Sequence, residues 1–92
     1  MNLKQGTQII YVPTHANGDI HHQDCEAGFV AHETTLPGNA IFCRYWVNGS
    51  VPRRLRTTAI SEATPIYLLV IRDTVPQEEV EAAMVECGII RG

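Results

Sequence analysis

Several things are scarce in this 92-residue chain. No apolar run approaches the ~18 residues that cross a bilayer as a helix. The first residues, Met1 to Gly6, hold no apolar leader segment, so the expectation is a soluble protein that stays in the cytoplasm. Cysteine is limited to Cys25, Cys43 and Cys87. An odd, widely spaced set does not form a secreted disulfide framework and fits a reducing compartment. Charged residues make up only 18%. There is no Gly-rich phosphate loop, no Cys-x-x-Cys, no nucleotide fingerprint and no pair of spaced catalytic carboxylates. One tryptophan and two phenylalanines leave few large aromatics.

What is present is enough for one small core. The length is that of a single domain, residues 1–92, and the apolar fraction is 45%, which argues against global disorder. The net charge of −3 is unevenly spread. Residues 1–72 carry six cations against five carboxylates, and residues 73–92 one against five. A near-neutral body with an acidic tail is not the charge pattern of a strongly basic nucleic-acid binder.

The patterning is mainly β. Thr7–Val12 is β-branched and aromatic, bounded by Gly6 and Pro13, and reads as a strand. A polar stretch runs from Pro13 to Glu26 with the turn signal Asn17-Gly18-Asp19. Gly28–Thr35 and Ala40–Val47 read as two strands joined by the turn Leu36-Pro37-Gly38-Asn39. A fourth strand is expected around Leu55, within Pro52–Thr58, and a further one over Pro65–Ile71. The C-terminus predicts a helix over about residues 76–87, capped by Thr74 with Gln77 in a capping box. Val80, Ala83, Met84 and Cys87 form its apolar stripe, and Gly88 is its C′ residue with Ile89 folding back. The expected fold is a small bent antiparallel sheet or SH3-like barrel of four to five strands, residues 1–72, with one C-terminal helix and tail, residues 73–92.

Two resemblances follow from these segments. Gly6–Val12, then Glu26-Ala27-Gly28-Phe29-Val30, then Ala40–Trp46 resemble the opening strands of SH3-like barrels, with a long loop after the first strand. The whole chain also resembles small uncharacterised bacteriophage and prophage proteins. That likeness rests on Asp24-Cys25-Glu26-Ala27-Gly28-Phe29-Val30 and on Phe42-Cys43-Arg44-Tyr45-Trp46. It implies no activity at any residue. It does imply a phage accessory protein of the kind that binds and blocks a host or defence factor, such as a CRISPR complex.

Three constellations carry candidate chemistry. On Ala40–Val47, alternation puts Ile41, Cys43, Tyr45 and Val47 on one face and Phe42, Arg44 and Trp46 on the other. The second row is a recognition surface if half exposed, since Trp and Arg dominate binding hot spots; the alternative is that Phe42 and Trp46 floor the helix. Arg53, Arg54 and Arg56 form the only basic cluster and, with Arg44 and Trp46, suit either a protein interface or weak single-stranded nucleic-acid binding. The third is the loop bearing His15, His21, His22, Asp24 and Cys25, with Cys43 within possible reach. Its residue types suit zinc, but its spacing matches no common signature; otherwise it is an exposed polar loop in which His21 and His22 serve binding. A Cys25–His22 nucleophile–base pair lacks any oxyanion-binding element. The sequence therefore reads as a non-catalytic interaction module for a protein partner, with no cofactor and no membrane role. A weak nucleic-acid binder and a zinc-binding domain are the alternatives, and homo-oligomerisation through exposed strand edges is left open.

Overall fold

The run Gln8-Ile9-Ile10-Tyr11 forms β1, because its β-branched side chains suit a pleated, half-buried surface. In the computed structural model, which describes residues 3–91, it is followed by β2 (Glu26–Val30), β3 (Ala40–Tyr45), β4 (Glu62–Pro65), β5 (Leu69–Ile71) and α1 (Gln77–Glu86). Short 3-10 turns lie at Thr14–Ala16 and Ile66–Leu68. All strand pairs are antiparallel, in the order β4-β3-β2-β1-β5. The first four strands form a meander, and the chain then returns so that β5 pairs with β1. The result is a five-stranded, curled half-barrel with one C-terminal helix, as the sequence predicts.

Gly28 lets the sheet curl. It pairs with Ile9 on one side and Tyr45 on the other. A Cβ there would lie 2.1 Å from the Arg44 carbonyl oxygen and 2.8 Å from Tyr45 Cδ1. The close approach of β3 therefore requires glycine.

Each face of the sheet has its own cover. On the inner face Ile9, Val30, Ile41, Cys43 and Tyr45 pack with Leu3, Ile66 and Leu69. On the outer face Phe29 and Trp46 pack under Val80, Ala83 and Met84 of α1. Beside them Ile10 and Val12 lie under Ala16 of the β1–β2 loop, with Ile20 and Cys25 against them.

Local predictions succeed where short-range chemistry decides. Gly88 has φ +72° and ends the helix. The Gly88 N–H donates to the Val85 carbonyl (3.0 Å) and the Ile89 N–H to the Met84 carbonyl (2.9 Å), which satisfies two orphan helix carbonyls. Ile89 folds back onto the Phe29/Trp46 cluster.

Other expectations need correction. The helix has no Thr74 cap, and Pro76 occupies the N-cap position without a side-chain bond. The Thr74 and Val75 N–H groups instead donate to the buried Gln8 Oε1, at 2.9 and 3.0 Å. Gln8 Nε2 donates to the Val75 carbonyl at 2.8 Å. A β1 side chain thus takes over the helix approach, a long-range contact that no local motif encodes. The region around Leu55 is not a strand; it keeps one isolated bridge to Trp46, and β4 forms later, at Glu62–Pro65. The apolar run Ile66–Ile71 splits into a 3-10 turn and a three-residue strand. Pro65 closes β4 opposite Ala40, and the Ile66 N–H makes one last cross-strand bond, to the Asn39 carbonyl at 2.9 Å, before the chain turns.

Candidate functional site

Of the Phe42/Arg44/Trp46 row only Phe42 is part exposed. Trp46 is 7% exposed and lies beneath α1, its ring tilted against Phe29 with centroids 5.9 Å apart. Arg44 is 6% exposed. Its Nε donates to Ser61 Oγ at 2.9 Å and its Nη1 to the Thr57 carbonyl at 3.3 Å. Phe42 is half-buried and meets the edge of His32. The physical reason is the second apolar face of the sheet: the helix supplies its cover, and Trp46 is the largest surface to hide there.

The arginine cluster is largely engaged within the fold. Arg53 pairs with Glu79 of α1. Arg56 bridges Glu26 of β2 and Glu62 of β4, and its guanidinium sits 5.3 Å from the centre of the Tyr45 ring. Among the described residues only Arg54 of the three forms no ion pair. Glu26, Glu62 and Arg56 line a cleft of about 320 Å³ with Tyr11, Tyr45 and Thr64. Both of its carboxylates are held by one arginine. Tyr45 Oη and Thr64 Oγ1 share a 2.8 Å hydrogen bond, and burial pushes the Tyr45 hydroxyl far above the usual phenol range.

The histidine loop is only partly assembled into a cluster. His15 Nε2 lies 2.6 Å from Asp24 Oδ2, and His22 Nδ1 lies 3.9 Å from the same oxygen. The two imidazoles meet edge to face, with centroids 5.3 Å apart. His21 points elsewhere and is exposed. Cys25 Sγ donates to the Asp19 carbonyl at 3.2 Å, and burial raises its thiol pKa. Cys43 belongs to the inner core, where burial pushes its thiol up to about 11. Neither thiol joins the histidines.

The sequence reading missed the surface where apolar groups are left uncovered. Tyr67, in the 3-10 turn before β5, is 77% exposed, and Val70 and Ile71 of β5 are 39% and 53% exposed. Tyr67, Leu68 and Val70 form a groove of about 300 Å³ with Val12, Pro13 and Gly18 of the β1–β2 loop. Strand β5 pairs with β1 alone, so its outer edge has no partner strand among the described residues. No local signal marked this edge, since Pro65 ends β4 at the opposite side of the sheet and β5 begins only at Leu69. The long apolar run concealed this, since it reads as a buried strand. No helix among the described residues is long and apolar enough to cross a membrane. No family model, curated protein or solved structure matches this chain.

Proposed function

We propose that the protein is a non-catalytic interaction module that holds an extended segment of a protein partner against the outer edge of β5. The observation that carries this reading is the coincidence of two features at one place. The outer edge of β5 has no partner strand among the described residues, with its Leu69 N–H already held by the Ile66 carbonyl, and an apolar groove lined by Tyr67, Leu68 and Val70 lies on the face between β5 and the β1–β2 loop. An extended peptide uses both together: the main chain adds to the ladder while alternate side chains enter the groove. Tyrosine suits such a role because its large, rigid ring gives contact area at low entropic cost. The resemblance to small phage proteins extends the proposal to the partner's class, a host or defence factor that is blocked by being bound.

The test uses the purified chain, immobilised, to select from displayed random peptides. Enrichment of extended, apolar-alternating sequences is expected. Val70→Lys and Tyr67→Ala should each weaken the selected peptides by roughly tenfold or more, the scale of an interface hot spot, while Arg54→Ala leaves them unchanged. Failure to enrich any peptide, or binding that survives both groove substitutions, would overturn the reading.

A further inference from the structure

We propose that the β1–β2 loop is a binding site for a divalent transition-metal cation of the zinc class, held by His15, His22 and Asp24. The donor atoms of these three side chains all lie within 4.8 Å of one another. Zinc bonds nitrogen and carboxylate oxygen at about 2.0–2.2 Å, so neighbouring ligands of a tetrahedral ion stand roughly 3.3–3.5 Å apart. The His15–Asp24 separation of 2.6 Å must open a little, and the His22–Asp24 separation of 3.9 Å must close a little. Both changes are small rotations of side chains at the surface.

The ion would take the place of two existing hydrogen bonds. The Asp24 backbone N–H donates to His22 Nδ1 at 3.0 Å and His15 Nε2 shares a proton with Asp24 Oδ2 at 2.6 Å, so both nitrogen lone pairs must be freed for the metal. The nitrogens that bind are the ones that already face the Asp24 carboxylate. Two imidazoles and one carboxylate suit zinc and its neighbours better than calcium or magnesium, which prefer all-oxygen sites. The fourth position opens to solvent or to a ligand.

The loop is built to hold these donors. Successive backbone N–H groups at Ala16, Asn17, Asp19, His22 and Cys25 each donate to the carbonyl three residues earlier, at 3.0–3.2 Å. Asp19 Oδ1 accepts the His21 N–H at 2.9 Å, and Asn48 Nδ2 donates to the Cys25 carbonyl at 3.2 Å. Ala16, Ile20 and Cys25 anchor the loop on Ile10 and Val12. Much of the ordering cost of the site is thus met by folding itself. A bound ion would link residues 15 and 24 across the loop whose other flank forms the apolar groove.

The probe is zinc alone, titrated calorimetrically into chelator-treated full-length protein with its thiols kept reduced. One zinc per chain is expected. His15→Ala, His22→Ala and Asp24→Asn should each weaken it by roughly tenfold or more, while His21→Ala and Cys25→Ser leave it within about twofold. Asp24→Asn keeps the side-chain shape, so its loss of binding is not a loss of fold. Cobalt in place of zinc should give a spectrum without a thiolate charge-transfer band. No binding below millimolar zinc, equal loss on His21→Ala, or a thiolate band would each overturn the proposal. Peptide selection carried out in chelator keeps this outcome separate from that of the groove.

Discussion

The two long connections of this sheet are held in different ways. The β1–β2 loop closes on itself through main-chain turns, and its backbone bonds between Pro13 and Cys25 all stay within the segment. Ala16, Ile20 and Cys25 pack down against Ile10 and Val12, while His15 and Asp24 stay exposed. The β3–β4 connection also has main-chain turns of its own, Val47 N–H to the Arg54 carbonyl at 2.8 Å and Ser50 N–H to the Val47 carbonyl at 3.2 Å, but its large side chains reach other elements. Trp46 lies under α1, Arg53 reaches Glu79, and Arg56 reaches Glu26 and Glu62, while Arg44 of β3 holds the connection at Ser61 and Thr57. The arginine–tryptophan segment thus has its side chains engaged within the fold, and the histidine loop with the β5 edge is the surface proposed for binding.

The largest effect that would sharpen this contrast lies at Trp46. Trp46→Ala should cost about 3–5 kcal/mol in a urea melt, the range for losing a large buried aromatic. Native Trp46 emission should be blue-shifted and insensitive to acrylamide. A loss under about 1 kcal/mol would return Trp46 to the surface.

The thiols give the next effect. Cys43 is 0% exposed, and its pKa stands at about 11 against an ordinary 9.0. Above pH 9 the unfolded chain releases this proton, while the native chain keeps it until about pH 11. Stability is thus full below pH 9 and falls through that window, by at most about 2–3 kcal/mol. Tyr45, shifted in the same direction by burial, adds to the alkaline loss. In a thiol-exchange assay Cys43 should react only on unfolding, whereas Cys25 and Cys87, both part exposed, react in the native state. Flat stability from pH 8 to 11 would contradict this.

Arg56→Gln comes third. Its two ion pairs are each about one-third exposed, so solvent screening holds the loss to about 1 kcal/mol or less, and the loss should shrink in high salt. Smallest of all, His21→Ala should change stability by less than about 0.5 kcal/mol, as expected for an exposed side chain without packing partners. A larger effect there would mean that the first loop leans on its side chains after all.

The sequence disclosed what depends on neighbours a few residues away. Alternation on Ala40–Val47 correctly placed Ile41, Cys43 and Tyr45 in the core. The Val80/Ala83/Met84 stripe and the Gly88 stop were legible for the same reason. What it concealed depends on contacts far along the chain. Gln8 binds a segment about 66 residues later, displacing the local cap that Thr74 advertised. Trp46 owes its burial to a helix more than thirty residues downstream, and composition cannot tell a floor from a hot spot. His15 met Asp24, and His21 did not, because three-residue turns set which side chains converge. The β5 edge was hidden because an apolar run looks the same on an edge strand as in the middle of a sheet.

The most direct measurement is chemical-shift mapping of the ¹⁵N-labelled chain with a selected peptide, in chelator. The account predicts that shifted amides cluster at Val12–Gly18 and Tyr67–Ile71, with Trp46, Arg53, Arg56 and α1 undisturbed. Shifts centred instead on Arg53–Arg56 or on the helix would reverse the assignment of working surface and scaffold.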